Sequence, residues 1–336
     1  MEKEEKINNV IEVENVSVHF PVRRQIGIRS VDEVIRAVDG VTLSVREGEI
    51  LAVAGESGCG KTTLGKAILN VIKPTHGKVR YRGIDLAELP GGEMRRLRRK
   101  IQLIFQDPYE SLDSRQSVYK TLLEPLTIHR KDLKEAEKRA LIYKTLEDVG
   151  LLPAESIAAR FPHHLSGGQR QRLSIAATMI LEPDFVVADE PVSMLDVSIR
   201  AEILKLMLDL KGGRELTYLF ITHDLSLAWM IADRIAVFYL GKMVEIGPAD
   251  DVVHRCVHPY TQALVSVIPA MDDEQKKSEK RVLEGETPSP AAIPKGCRFH
   301  TRCRYYQQNG MPEICREKEP VLHDVGEDHM AACHFT

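Results

Sequence analysis

The sequence predicts an α/β fold: a mixed, mainly parallel sheet with flanking helices, carrying a helical subdomain and a small cysteine-rich C-terminal extension. Three observations predict it. Short apolar runs, Glu49–Val53 and Phe185–Ala188 among them, read as buried strands of a parallel sheet because they are continuous rather than alternating. The first runs through a glycine-rich turn into a helical stretch, Leu64–Ile72, in the order of a strand–turn–helix unit. Four of the six cysteines fall in the tail, at Cys297, Cys303, Cys315 and Cys333, which sets that segment apart in composition. The expected layout is a sheet domain over 1–250, with the helical subdomain at about 107–170, and an extension over 251–336.

The bulk numbers narrow the function classes. With 336 residues, 43% hydrophobic and 28% charged, the chain is an ordinary globular protein, long enough for a large domain and a smaller one. A net charge of −3 gives no global field toward nucleic acid or an anionic surface. The start, MEKEEKINNV, is acidic and polar and has no apolar core of a signal peptide. The apolar runs, such as Ser174–Leu181, are far shorter than the roughly eighteen residues a span needs. A cytosolic chain follows, and with it thiols rather than disulfides.

After the strand Glu49–Val53 comes Gly55-Glu56-Ser57-Gly58-Cys59-Gly60-Lys61-Thr62-Thr63, which fits G-x-x-x-x-G-K-[ST]. Glycines let backbone N–H groups turn inward around an anion, and the following helix start adds partial positive charge. Lys61 can reach the outer phosphates and the Thr62 hydroxyl can ligate Mg²⁺. Cys59 lies over the expected phosphates, where alkylation would reach it. The run Phe185–Glu190, FVVADE, then places two carboxylates at the C-terminal end of a strand, where ligands of open parallel sheets bind. Asp189 is placed to hold Mg²⁺ through water and Glu190 to orient or deprotonate the attacking water. Together the two motifs make the core that of a P-loop nucleoside triphosphatase.

Leu165-Ser166-Gly167-Gly168-Gln169-Arg170-Gln171-Arg172 reads as a loop feeding an apolar helix, Leu173–Leu181. Ser166 is a good N-cap and two glycines leave the helix start bare, so the stretch is a candidate second anion site. Alone, a capped helix with a flexible approach explains it equally well.

With FVVADE, LSGGQRQR resembles the signature and Walker B of the ATP-binding cassette ATPases. The rest of that family's pattern is present over about residues 10–250. Gln106, in IFQDP, matches the Q-loop glutamine that contacts Mg²⁺ and the attacking water. Ser193-Met194-Leu195-Asp196 matches the D-loop, Met194 standing where a small residue is usual, with Asp196 its acid. His223, in FITHD, matches the switch histidine that contacts the γ-phosphate. Phe20 is the candidate for stacking on adenine, although an insertion over Pro21–Ile35 separates it from the loop. The resemblance implies a head-to-tail dimer with ATP between one chain's phosphate loop and the other chain's signature, residues 165–169. The catalytic set it implies is Glu190, His223, Gln106 and Lys61, with Mg²⁺ on Thr62, Gln106 and Asp189.

Family members for DNA repair or chromosome structure carry long insertions between Q-loop and signature, whereas here the stretch from Gln106 to Leu165 is short and holds one clear helical run, Asp132–Val149. A single cassette without a membrane segment is the layout of an importer ATPase, and Asp107–Leu112 stands where such cassettes meet the permease. Arg95–Lys100, RRLRRK, reads as a solvated helix face before the Ile101 strand rather than a nucleic-acid patch. His258-Pro-Tyr-Thr-Gln-Ala-Leu264 reads as a short Pro-started helix, followed by a Glu/Lys-rich linker, Asp272–Glu286, and Thr287-Pro-Ser-Pro290. HPYTQAL, this spacing and then G-C-x-F-x-x-R-C, with Phe299 and Arg302 in place, resemble the C-terminal extension of oligopeptide/dipeptide importer ATPases. FQDPYESLD and DEPVSMLDVS stand closer to the F-named than to the D-named subunit of that pair. The implied protein is the ATPase of a peptide importer on the inner face of the cell membrane. Its implied partners are a second ATPase subunit, identical or paralogous, two transmembrane permease subunits and, indirectly, an extracytoplasmic solute-binding protein. The same engine also serves oligosaccharide or other solute import, and non-transport regulatory or nucleic-acid-linked ATPases.

The tail cysteines are spaced C-x5-C-x11-C-x17-C, without the C-x2-C pairs usual for zinc. Four thiolates at irregular spacing can wrap a cuboidal cluster, and some members of the resembling family carry one on matching cysteines. The expectation is a structural [4Fe-4S] cluster. The alternatives are zinc, with His300, His323, His329 and His334 as substitute ligands, and unligated thiols. A tail of about forty residues buries little core by itself, which favours some staple.

Overall fold

The computed structural model describes residues 8–26, 29–212, 215–268, 283 and 285–336. The acidic start before residue 8 and most of the 272–286 linker lie outside the described residues. The chain divides into two compact units. One, called here the loop unit, comprises the described residues of 11–45, 49–87 and 222–336; the other, the signature unit, comprises the described residues of 8–10, 46–48 and 88–221.

The loop unit opens with two long strands, β1 (Asn9–Ile26) and β2 (Arg29–Arg46), which take up the insertion after Phe20. Val41, Leu43 and Val45 are buried at every second position, the period that puts one strand face on a core. β1 also pairs antiparallel with β4 (His76–Tyr81), and β5 (Ile84–Asp85) completes a sheet ordered β2-β1-β4-β5. Between them, β3 (Ile50–Ala54) is buried throughout and leads to helix α1 (Lys61–Ile68).

The signature unit runs through α2 (Gly91–Leu97), β6 (Ile101–Ile104), α3 (Pro108–Ser111), α4 (Val118–His129), α5 (Glu135–Asp148), α6 (Ala154–Ala158), α7 (Gly167–Met179), β7 (Phe185–Asp189), α8 (Val197–Gly212) and β8 (Thr217–Thr222). β6, β7 and β8 are parallel in the order β8-β7-β6, and β7 is wholly buried as its apolar run requires. α5 starts three residues later than Asp132, because Asp132 is held in a turn by Arg130 and the Glu137 carboxylate accepts from the Lys134 N–H at 2.6 Å. α7 starts at its Ser166 cap, as the sequence predicts, and its first turns precede the apolar run from Leu173.

The chain then returns to the loop unit. α9 (Leu225–Ile231) precedes β9 (Arg234–Tyr239), which pairs parallel with β3 and, through a tight turn, antiparallel with β10 (Lys242–Pro248). α10 (Ala249–His254) and α11 (Pro259–Val265) follow, the latter started by Pro259 as its sequence predicts. The tail forms α12 (Arg304–Gln308), α13 (Glu313–Glu317), β11 (His323–Gly326) and β12 (His329–Ala331). β12 pairs with β10, so this section of sheet reads β11-β12-β10-β9-β3.

The tail is therefore no satellite needing its own staple. Phe299, Cys303, Tyr306 and Cys315 are buried in the same core as Tyr239, Val252 and Tyr260. The Phe299 ring stands 5.2 Å from Tyr239 and 5.3 Å from Tyr260, in tilted and edge arrangements that aromatic pairs prefer. Burying such a ring contributes roughly 2–3 kcal/mol.

Candidate functional site

In the loop unit, the end of β3 turns through Gly55–Gly60 into α1. Two glycines are sterically required. A Cβ on Gly55 would stand 2.2 Å from the Phe238 carbonyl oxygen, and one on Gly60 1.9 Å from that of Ala37; both residues also hold positive φ, 154° and 107°. Gly60 is the N-cap of α1 and has no side chain to satisfy the helix's first N–H groups. Lys61 is 4% exposed. Its ammonium donates to the carbonyls of Gly55 at 2.8 Å and Glu56 at 2.9 Å, folding the charge over the loop that precedes it. An open helix start under a buried ammonium suits an anionic ligand.

Cys59 departs from its expected reactivity. It is 3% exposed, and burial pushes its thiol up against the opposing pull of Lys61. A protonated, covered thiol is a poor target for alkylation.

Sequence reading missed how the loop's second residue is held. The Glu56 N–H donates to the Tyr260 hydroxyl at 2.9 Å. Arg302 forks onto the Glu56 carboxylate, Nη1 at 2.8 Å and Nη2 at 3.0 Å, and the Thr287 hydroxyl adds 2.7 Å. Burial pushes that carboxyl up, but Arg302 and Thr287 outweigh it and hold it below the usual carboxylate range. Arg302 stood out in the sequence only as part of a pattern; the pairing spans 246 residues and leaves no local signal. Thr62 and Thr63 lie in the first turn of α1, Phe20 stands exposed on β1, and His223 is exposed after the last residue of β8, just before the Asp224 cap of α9.

In the signature unit, Asp189 ends β7 and is buried. Glu190 follows with φ 44°, a left-handed backbone rare for a residue with a Cβ, fixed by its N–H to the Ile221 carbonyl at 3.0 Å and by the Ser193 hydroxyl on its own carbonyl at 3.0 Å. Gln106 Nε2 donates to the Glu190 carboxylate at 3.1 Å, bringing together two residues far apart in sequence. Just beyond, Asp107 caps α3 by accepting from Tyr109 N–H at 2.7 Å, and the Arg170 guanidinium lies over the exposed Tyr109 ring at 4.2 Å. The D-loop's Met194 and Asp196 are exposed.

The signature start is less bare than predicted. Ser166 Oγ accepts from Gln169 N–H at 3.3 Å, and Gln169 Oε1 accepts from Ser166 N–H at 3.0 Å, a reciprocal capping box. Leu165 is buried beneath it, and Gly168 is packed so closely that a Cβ would meet Ile199 at 2.9 Å.

The tail does not support the expected metal centre. Among the described residues no group of three or more His, Cys, Asp or Glu is arranged to hold a metal ion. Cys297, Cys303, Cys315 and Cys333 are free thiols. Burial, reinforced by the other three, pushes Cys297 up to about 12, and burial raises the rest. The four histidines that zinc could use are engaged elsewhere: His300 with the Cys297 carbonyl, His323 with that of Thr336, His334 with that of Lys318, and His329 with Glu245. The described residues thus support neither the [4Fe-4S] cluster nor zinc, and the burial of the tail in the unit's core removes the need for a staple that motivated them.

Family models match at residues 38–193, as an ABC transporter, and at 244–309, as the C-terminal region of oligopeptide/dipeptide transporters. The putative oligopeptide transport ATP-binding protein YkfD of Bacillus subtilis is 44% identical over 97% of this chain and 95% of its own length. The chain belongs to the oligopeptide/dipeptide branch of the ABC transporter ATPases. The oligopeptide transport ATP-binding proteins AppF of Bacillus subtilis, at 43% over 97% of both chains, and OppF of Salmonella typhimurium, at 42% over 93% of this chain and 92% of its own, are similar as well. Among solved structures, the dimeric post-hydrolysis state of the ATP-binding cassette MJ0796 bound to ADP and Pi covers 71% of this chain and 98% of its own, with a TM-score of 0.61 at 28% identity. CbiO1 from Clostridium perfringens, part of the ABC transporter complex cbiONQ, covers 74% and 92% with a TM-score of 0.61 at 25%. As a member of this ABC ATPase branch the chain is an ATPase. No helix of the described residues is long and apolar enough to cross a membrane.

Proposed function

We propose that this chain is the ATP-hydrolysing subunit of a membrane importer for oligopeptides or dipeptides, working at the cytoplasmic face beside a second ATPase subunit and two permease subunits and served by an external solute-binding protein. The observation that carries the reading is its near-complete match, tail included, to relatives named for oligopeptide transport. The layout it favours is a cassette over 1–250, with a helical subdomain at about 107–170, and the extension 251–336.

In this reading, Gly55–Thr63 holds the phosphates. Lys61 exchanges its bonds to the loop carbonyls for phosphate oxygens, so its charge is pre-placed and little reorganises on binding. Glu190 orients and deprotonates the attacking water, and Gln106, already on its carboxylate, aligns it. His223 stabilises charge on the γ-phosphate, and Phe20 stacks on the base. Mg²⁺, with Thr62, Gln106 and Asp189 as its proposed ligands, supplies charge neutralisation when bound. Leu165–Gln169, with Asp196 of the D-loop, serves the nucleotide held by the second ATPase subunit.

The test is Glu190→Gln. Removing a general base lowers turnover by about two orders of magnitude or more, with ATP affinity kept within a few-fold. Turnover equal to the parent would overturn the assignment of Glu190.

A further inference from the structure

We propose that Arg302 and Tyr260 are positioning residues for the phosphate loop, through which the C-terminal extension sets ATP affinity. The inference rests on the reading that this loop binds ATP.

The geometry is specific. Glu56 is the one acid among the loop residues Gly55–Thr63. A carboxylate there repels a triphosphate unless its charge is matched. Arg302 matches it with two parallel N–H donors, the planar fork that suits a carboxylate. The guanidinium is itself fixed: its side chain is 7% exposed, it also donates to Thr287 Oγ1 at 3.2 Å, and it lies 5.9 Å from the Tyr239 ring centre. Tyr260, fully buried against Tyr239 and Phe299, accepts the Glu56 N–H. The loop's second residue is thus held at backbone and side chain by groups 204 and 246 residues away. Thr287 and Arg302 belong to the tail and Tyr260 to the helix that leads into it, so the packing of the extension decides the shape and charge of the loop.

The two tethers act differently. Arg302 cancels charge; Tyr260 fixes the direction of one backbone N–H. Losing Arg302 leaves an unmatched carboxylate near the bound phosphates, so it acts on affinity more than on the chemical step.

The experiment uses the full chain, with ATP binding measured by calorimetry, KM and kcat by phosphate release, and thermal unfolding without nucleotide. Arg302→Met raises Kd and KM for ATP about tenfold, the scale of a charge-assisted contact discounted for partial exposure, and kcat changes less than twofold. Adding Glu56→Gln to Arg302→Met brings Kd back to within about threefold of the parent, because the offending charge is gone. Tyr260→Phe, which removes only the hydroxyl, raises Kd by about threefold to tenfold, the net value of one hydrogen bond. A purely structural role predicts instead that the double variant is no better than Arg302→Met, and that result overturns the proposal, as does an unchanged Kd in both Arg302→Met and Tyr260→Phe. If Arg302→Met does not fold, Tyr260→Phe alone decides. Lys61→Ala is the control. If it leaves ATP affinity untouched, the underlying reading of the loop fails; if it abolishes binding while the tether variants do nothing, only the present inference fails.

Discussion

Helices α1 and α7 both open on glycines, and they begin differently. α1 starts at Gly60, with no side chain on its first N–H groups and a buried lysine folded above them. α7 starts at Ser166, and its opening is closed by the Ser166–Gln169 box. The first glycine is demanded by the chain's own crowding; the glycine after Ser166 is not, since a Cβ on Gly167 would meet only a Leu195 methyl at 3.9 Å. A helix start held open by backbone shape is committed to an anion. One closed by its own residues must exchange an internal bond for a ligand. A third start, α11, is closed by a titratable group: His258 Nδ1 accepts from the Tyr260 N–H at 3.1 Å.

The sharpest way to break this comparison is Gly60→Ala. The added Cβ collides with the Ala37 carbonyl, and φ 107° is hostile to any L side chain. Relief requires moving the loop, so loss of at least about 3 kcal/mol of stability, or of ATP binding altogether, is expected. Thermal unfolding and ATP calorimetry check it; a parent-like melting temperature with parent-like affinity would mean that the crowding is not what keeps the start open.

The closed start of α11 is expected to be pH-sensitive. Burial, against the opposing charge of Glu245, pulls His258 from 6.5 down to about 4. The imidazole is neutral in both states above about 6.5. Between about 6.5 and 4 the unfolded chain takes up the proton and the folded one does not, so stability falls as the pH falls through that window. The loss reaches about 3 kcal/mol at its foot. His258→Asn keeps an acceptor for the Tyr260 N–H and should flatten the slope of stability between pH 6.5 and 4. An unaltered slope, measured by denaturant titration, would assign the acid sensitivity to other groups.

The same contrast explains what could be read in advance. The loop Gly55–Thr63, the strand Phe185–Asp189 and the Ser166 cap were legible because each is a local pattern whose chemistry lies within a few residues. The start of α5 was misplaced by three residues because its cap, not apolar periodicity, decides it. The metal expectation found no support among the described residues, for a different reason. It assumed an extension that stands alone, whereas Phe299 and Tyr306 reach a core built by β9, β10 and α11. Which core a tail joins is a tertiary fact, as is the Glu56–Arg302 pair, and no spacing in the sequence announces either.

The smallest effects compare the two residues that open α7. Ser166→Ala removes the acceptor of the Gln169 N–H and half of the box, costing about 1 kcal/mol; Ser166→Thr keeps the hydroxyl and most of that stability. Gly167→Ala places its methyl in ordinary contact and leaves the fold within about 0.5 kcal/mol of the parent. A large loss of ATPase in Gly167→Ala, with thermal unfolding unchanged, therefore cannot come from the helix. It would mean that the space over Gly167 is needed by something outside this chain's own fold, and full activity in the same variant would place the work of this start on Ser166 alone.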